Sequence, residues 1–201
     1  MAKLILLRHL QSQWNKENKF SGWTDVPLSE EGMATASEKA QKLADVKIDE
    51  VFTSPLSRNK NTVELVLKNL EQENLSVTVD KALDERNYGE LTGLDKDEVK
   101  TRYGAEQVQL WRRSWDEAPP EGESLKDVCA RAIPFYQNFI EPQLKAGKTV
   151  LIVASHNSLR ALIKYIEGIS NDDIINLEIP FGGMVVYDLD DNLKVKTKEI
   201  C

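Results

Sequence analysis

Histidine is scarce in this 201-residue chain, and both copies stand where short apolar runs end. His9 follows Leu4-Ile5-Leu6-Leu7-Arg8, and His156 follows Val150-Leu151-Ile152-Val153-Ala154-Ser155. A neutral imidazole can attack phosphorus or carbon and then leave, so such a residue can be a covalent catalyst. Arg8 beside His9 points to an anionic substrate, because a guanidinium pairs with phosphate through two parallel hydrogen bonds. The plainer alternative is a pair of surface histidines at strand ends. Two out of two at the same edge, with an arginine alongside, favours chemistry.

Other groups are weaker on their own. Arg58, in Thr53-Ser54-Pro55-Leu56-Ser57-Arg58, lies just past an apolar run in the first turn of a helix; alone it is as readily a solvated helix charge as an anion ligand. Arg112-Arg113 follow Trp111 and lie between Tyr103 and Trp115. Paired guanidinium groups among aromatics suit a carboxylate or a second phosphate, and equally an ordinary charged surface. Glu85 lies in a loop with Arg86, Tyr88 and Gly89 after it. A carboxyl near bound phosphate has its pKa raised by like charge, which suits a proton shuttle near neutrality; standing alone it reads as a plain loop residue.

The elements that must position these groups alternate. Lys3 to Leu7, Ile48 to Thr53, Ser76 to Val79, Thr149 to Ala154, Met184 to Leu189 and Leu193 to Lys198 read as strands. Leu28 to Ala44, Leu56 to Leu70 and Ser158 to Glu167 read as helices. Ser124-Leu125-Lys126-Asp127 is a capping box, with Leu125, Val128, Ala132, Tyr136, Phe139 and Ile140 at helical spacing behind it. Pro134 should kink that helix or reset its start. Strand and helix in alternation predict a three-layer α/β fold, a mostly parallel central sheet flanked by helices, over one domain spanning 1–201. In such folds ligands bind beyond the carboxyl ends of the strands, where both histidines fall.

Composition narrows the rest. A net charge of −7, with 26 basic and 33 acidic residues, excludes a general nucleic-acid binder, so any anion site must gather its positive charge locally. Nowhere do eighteen apolar residues run together, so no membrane helix is expected, and the apolar stretch before Arg8 is too short for a secretory leader. Two cysteines, Cys129 and Cys201, outside any C-x-x-C pair, argue against a disulfide scaffold or a cysteine-rich zinc site, and the cytoplasm is the expected compartment. Gly147-Lys148-Thr149 imitates a P-loop but has Pro142 where that loop needs glycine, and it opens a strand instead of following one. Asp188, Asp190 and Asp191 read as a solvated turn between the last two strands, not as a metal cluster.

Taken together, Leu7-Arg8-His9, Ser12, Trp14-Asn15, Asn18, Phe20-Ser21-Gly22-Trp23 and Asp25 resemble the opening signature of the 2,3-bisphosphoglycerate-dependent phosphoglycerate mutases, within the histidine phosphatase superfamily. The resemblance continues through Glu85-Arg86-Asn87-Tyr88-Gly89, Leu91, Gly93-Leu94, Lys96, Tyr103-Gly104, Gln107-Val108 and Trp111-Arg112-Arg113 to Asn157-Ser158-Leu159-Arg160-Ala161-Leu162. It implies a metal-independent glycolytic mutase interconverting 3- and 2-phosphoglycerate through a phosphohistidine, primed by 2,3-bisphosphoglycerate. On that resemblance His9 carries the phosphoryl group and Arg8, Arg58 and His156 surround it. Asn15, Ser21 and Gly22 add hydrogen bonds, Glu85 moves the substrate proton, and Tyr88, Lys96, Arg112 and Arg113 grip the carboxylate and the distal phosphate. Asn157 is counted with the substrate-binding residues.

Three features depart from the family pattern. Leu10 stands where the family has glycine after the nucleophile. Ser155-His156-Asn157-Ser158 lacks the glycine of the later His-Gly-Asn-Ser motif. An ungapped alignment there puts Ser155 at the histidine position and His156 at the glycine. Either the loop adjusts and His156 recovers the role, or Ser155 replaces it; the ending strand favours His156. The chain is also short between Pro119 and Ser124 and after Lys194, which leaves the oligomeric state open and gives the site less cover against water. Two other readings therefore stand beside the mutase: a phosphatase of the same superfamily, and a catalytically impaired phosphoglycerate-binding relative.

Overall fold

The computed structural model describes residues 2–201. Six strands, β1 (Ala2–Arg8), β2 (Glu50–Thr53), β3 (Val77–Val79), β4 (Thr149–Ala154), β5 (Met184–Leu189) and β6 (Val195–Ile200), form one sheet in the order β3-β2-β4-β1-β5-β6. The first four are mutually parallel, whereas β5 and β6 form an antiparallel hairpin on the β1 side. β1 and β4 alternate cleanly. Ile5, Leu7, Leu151 and Val153 face one side, with Ala40, Val63, Val66 and Leu67 from helices and Leu43 from the turn after α3 packed on them. Leu4, Leu6, Val150 and Ile152 face the other, against Leu125, Val128, Ala132, Leu159 and Leu162. Burial on both faces is why these strands read as unbroken apolar runs. The three-layer α/β arrangement matches the expectation, and the strands that lead to the histidines, β1 and β4, are neighbours within its parallel part.

The helices, in chain order, are α1 (Gln13–Lys16), α2 (Glu30–Ala34), α3 (Ala36–Gln41), α4 (Ser57–Asn69), α5 (Lys96–Tyr103), α6 (Ala105–Arg113), α7 (Leu125–Phe135), α8 (Glu141–Lys145) and α9 (His156–Glu167). The single helix expected over Leu28 to Ala44 is two short ones. Ser29 caps the first by accepting from the Gly32 amide at 3.0 Å, and the Thr35 hydroxyl donates back to the Gly32 carbonyl at 2.7 Å, which breaks the run there. Ser124 and Asp127 form the expected capping box of α7. Pro134 does not reset the helix. Its missing N–H costs the Ala130 carbonyl a partner, and the chain passes through a wide π turn over Tyr136–Ile140 into α8.

Both P-loop and metal decoys have ordinary roles. Gly147 (φ +78°) turns the chain into β4, and Lys148 pairs with Glu50 at 2.6 Å. Asp190 accepts from the Asn192 and Lys194 amides in the last hairpin turn, and Asp188 pairs with Lys3 at 2.6 Å.

A smaller apolar cluster lies apart from the two faces of the sheet: Phe20, Leu91, Val99, Val108 and Trp111 hold α5 and α6 to the segment that follows α1. Gly89 (φ +53°) is wedged against the backbone of residues 120–122; a Cβ there would come within 2.0 Å of the Pro120 carbonyl oxygen. Gly168 (φ +65°) ends α9 in open space, with nothing within 4 Å of its virtual Cβ. The two glycines should therefore separate in urea denaturation. Gly168→Ala is expected to lose about 1 kcal/mol, the cost of left-handed backbone alone, and Gly89→Ala about 3 kcal/mol or more, because backbone must also move.

Candidate active site

Beyond the carboxyl ends of β1, β2 and β4 lies a cleft of about 420 Å3. Arg8 and Ala154 are register partners, as are Thr53 and Val153, and the His9 amide extends the ladder to the Ala154 carbonyl at 3.1 Å. The ends of three adjacent strands thus deliver His9, the His156 helix and the Arg58 helix to one edge. Of the residues singled out from sequence, Arg8, His9, Asn15, Ser21, Gly22, Arg58, Glu85, Tyr88, Lys96, Arg112, Arg113 and His156 line this cleft, and Asn157 does not. Arg8, Arg58, Arg112, Arg113, Lys19 and Lys96 face it against two carboxylates, Glu85 and Glu178, so an acidic protein concentrates positive charge here.

His9 is buried, and its Nδ1 lies 2.7 Å from the Leu10 carbonyl oxygen. A carbonyl can only accept, so Nδ1 carries the proton and Nε2 keeps its lone pair. Burial, then Arg58 and Arg8, push the His9 pKa well below the usual histidine value, so the ring is neutral at pH 7. Arg58 donates to the Thr24 carbonyl at 2.9 Å and the Gly22 carbonyl at 2.8 Å, holding the 21–24 loop against the cleft. Arg8 donates to the Ile179 carbonyl and stacks on Phe181 at 3.8 Å; burial brings its pKa down to about 10, leaving it charged. Arg8 Nε and Ser21 Oγ are buried with no hydrogen-bond partner among the described residues. Two unused polar groups beside a lone-pair nitrogen are what an anion would satisfy.

Glu85 is held from behind. Its Oε1 accepts from the Arg86 amide at 2.7 Å, the Asn157 amide at 3.2 Å and Asn157 Nδ2 at 3.0 Å. Asn157 Nδ2 also reaches the Tyr88 hydroxyl at 3.2 Å, while its Oδ1 accepts from Arg160 at 3.0 Å. Asn157 therefore orients Glu85 and Tyr88 instead of meeting a ligand. Burial works to raise the Glu85 pKa, but His156, the Arg86 amide, Arg58 and Asn157 outweigh it and hold the carboxyl below its ordinary value. The elevation expected for a proton shuttle is not supplied by the protein; it has to come from a ligand's own negative charge.

The two lost glycines resolve locally. Leu10 turns away from the cleft into a small cluster with Leu28, Ala36 and Leu65, and its amide donates to Thr62 Oγ1 at 3.1 Å. Ser155 is the N-cap residue of α9 and is fully buried, its hydroxyl accepting from Asn59 Nδ2 at 3.2 Å. His156 is the first helical residue, and it is His156, not Ser155, whose side chain lines the cleft. Burial pushes its pKa down to about 4, against the pull of Glu178, so its ring is also neutral at pH 7.

A second group of cations adjoins the first. Lys96 opens α5, and Arg112 and Arg113 close α6. Burial, then Arg112 and Arg8, bring the Lys96 pKa down to about 8, so this ammonium already feels crowded by positive charge. Asn15 uses Oδ1 to accept from the Ser12 amide at 3.1 Å, which leaves its amide nitrogen for the cleft. Sequence reasoning missed Glu178, which pairs with Arg113 and lies 3.3 Å from His156 and 3.8 Å from Arg8. An isolated glutamate in the loop after α9 carries no spacing signal. Lys19, Pro180 and Phe181 were missed for the same reason, and Asn18 and Phe20 were noted as motif residues without a role. Among the described residues no group of three or more His, Cys, Asp and Glu side chains is placed to hold a metal ion.

Comparison with known proteins agrees with this geometry. The profile of the histidine phosphatase superfamily, branch 1, matches residues 4–198. A 2,3-bisphosphoglycerate-dependent phosphoglycerate mutase of Mesorhizobium japonicum is 46% identical over 98% of this chain and 97% of that protein. A phosphoglycerate mutase of Schizosaccharomyces pombe is 45% identical over 98% and 94%. Among solved structures, a mycobacterial glucosyl-3-phosphoglycerate phosphatase in complex with VO3 superposes with a TM-score of 0.84 at 25% identity, covering 99% of this chain and 96% of that one. The alpha-ribazole phosphatase of Shigella flexneri does so with a TM-score of 0.80 at 26% identity, over 96% and 95%. Near end-to-end identity of this degree, on a chain whose two histidines meet in one cationic cleft, places it in the histidine phosphatase superfamily, in the family of the 2,3-bisphosphoglycerate-dependent phosphoglycerate mutases.

Proposed function

We propose that this chain interconverts 3-phosphoglycerate and 2-phosphoglycerate in the cytoplasm, without a metal, through a phosphoryl group carried on His9 Nε2. The observation that carries the reading is the arrangement of cations in two sets. Arg58 and Arg8 are the cations that act on His9, and Lys96, Arg112 and Arg113 line the same cleft without contributing to that shift. A phosphoglycerate bears two anionic groups, and such a cleft offers one set to each. A phosphatase needs only the first set.

The residues suit the steps. The Leu10 carbonyl fixes the His9 tautomer, so Nε2 faces phosphorus with its lone pair. Arg8, with its unpaired Nε, the Ser21 hydroxyl and the charge of Arg58 stabilise the equatorial oxygens as the P–N bond forms or breaks. 2,3-Bisphosphoglycerate, held by these groups with Lys96 and Arg112, supplies the phosphoryl group that primes His9. In transfer from phospho-His9, the substrate hydroxyl oxygen bonds phosphorus as the P–N bond breaks, and Glu85 takes the hydroxyl proton, returning it in the reverse step. Among the described residues no helix is long and apolar enough to cross a membrane, which accords with a diffusible substrate. Hydrolysis of phospho-His9 is the second reading, favoured by the phosphatase names of the similar solved structures.

Three measurements test this reading. Incubation with labelled 2,3-bisphosphoglycerate should place acid-labile, base-stable phosphate on the wild-type protein and none on His9→Ala, which should lose mutase turnover by about a thousandfold or more; full turnover in that variant refutes the mechanism. Release of inorganic phosphate without interconversion of the two monophosphoglycerates would replace the mutase by the phosphatase. Arg112→Ala should raise KM about tenfold or more with a smaller change in kcat, since its guanidinium grips substrate without touching phosphorus.

The neutral histidines also set an acid limit. Below pH 6.5 the unfolded chain protonates both rings, whereas folded His156 resists down to about 4. Unfolding free energy should therefore fall as pH drops from 7 to 4, by about 3 kcal/mol from His156 alone. Asp84, raised to about 6 by burial, acts in the opposite sense, gaining its proton earlier in the folded state. Urea denaturation across this range should show a shallower decline in His156→Asn.

A further inference from the structure

Glu178 lies in the loop between α9 and β5, and its carboxylate enters the cleft. Its Oε2 pairs with Arg113 Nη1, and its Oε1 lies 3.3 Å from His156 Nε2 and 3.8 Å from Arg8 Nη1. One carboxylate thus spans an imidazole and two guanidinium groups; the proposed function assigns the guanidinium groups to the substrate's anionic groups, and the inference rests on that assignment. A substrate carboxylate or phosphate would present the same pair of oxygens to the same two guanidinium groups. Both cannot occupy them at once.

We propose that Glu178 is a specificity-determining residue: an internal carboxylate that fills the subsite of Arg8, Arg113 and His156 and yields it to an incoming anion. Its surroundings leave room for this movement. The Glu178 side chain is 52% exposed, whereas those of Arg8, Arg113 and His156 are 11%, 16% and 9% exposed, so Glu178 sits at the mouth and can swing into water. Its neighbour Ile179 anchors the loop through main-chain bonds to the same groups: the Ile179 amide faces His156 Nε2 at 3.4 Å and its carbonyl accepts from Arg8. Releasing the side chain therefore leaves the loop in place. Lys96 and Arg112, by contrast, have no ion pair among the described residues and are open to a ligand at once.

The consequence is selectivity by charge. Burial works to raise the Glu178 pKa, but contact with His156 and the charge of Arg113 hold it well below the ordinary carboxylate value, so Glu178 is ionised at neutral pH. A displaced but nearby carboxylate repels a phosphate dianion more than it repels a singly charged carboxylate. Glu178 thereby favours a ligand with one phosphate and one carboxylate over one with two phosphates, and shortens the stay of the doubly phosphorylated species.

Calorimetric binding of inorganic phosphate, 3-phosphoglycerate and 2,3-bisphosphoglycerate to the full-length protein and to Glu178→Gln tests this. The isosteric variant should bind every anion tighter, by about threefold for the monophosphates and about tenfold for the bisphosphate, with the difference shrinking at high salt. Glu178→Ala should shift affinities the same way. If wild type binds these anions and both variants bind them equally or more weakly, Glu178 is a pillar for Arg113 and not a competitor; if both variants tighten all three by one common factor, Glu178 competes without selecting and the specificity role falls. If neither wild type nor variants bind any of the three, the anion-site assignment falls and this proposal with it.

Discussion

Three arginines with almost no exposed surface, Arg58, Arg86 and Arg160, set the terms for the whole site. Each is bonded mainly to main-chain carbonyls: Arg58 to those of Gly22 and Thr24, Arg86 to that of Arg112, Arg160 to those of Arg113 and Ile174. A carbonyl satisfies an N–H without cancelling the charge, so burial is tolerated and the positive potential survives. Burying a guanidinium this way is costly in isolation. The same bonds tether the 21–24 loop and the end of α6, so the fold is committed wherever the cations are. The sheet gives the platform, and the carbonyl-held arginines bind the loops around it into a cleft that attracts anions.

This arrangement explains why the family pattern survives its two missing glycines. The first is lost where the chain leaves β1, and the Leu10 side chain finds an apolar recess among Leu28, Ala36 and Leu65, while its carbonyl still fixes the His9 ring. The second is lost where the chain leaves β4. There Ser155 takes the N-cap and is locked to Asn59, so the imidazole is presented one residue later, from the first turn of α9. Shifting a side chain by one position reverses its direction inside a strand, but at a strand-to-helix junction the backbone changes course and the shift is absorbed.

How much of this was legible in the sequence follows from where burial is two-sided. β1 and β4 are covered on both faces, so their apolar runs announced them, and with them the edge on which His9 and His156 stand. α5 was invisible because its sequence, Lys-Asp-Glu-Val-Lys-Thr-Arg-Tyr, buries Val99 alone, and α6 because its apolar face is short. The split between α2 and α3 depends on a threonine hydroxyl turning back onto Gly32, a choice that periodicity does not encode. Arg8 was readable from type and place, whereas Arg58 and Glu85, ambiguous on their own, were singled out by the family resemblance. Asn157 was read as a ligand group although it works behind Glu85, since a motif records which residues matter and not which way they face.

The separate apolar nucleus of Phe20, Leu91, Val99, Val108 and Trp111 has a mechanical consequence. Lys96 and Arg112 ride on α5 and α6, joined at Gly104 (φ +85°), whose virtual Cβ meets nothing within 4 Å. The arm bearing Lys96 and Arg112 thus has its own cohesion, and the joint between its two helices is free of crowding, while the Arg86 and Arg160 bonds fix the end of α6 to the body. Damage to that nucleus would let α5 turn against α6 and carry Lys96 away from Arg112, loosening the grip on a ligand.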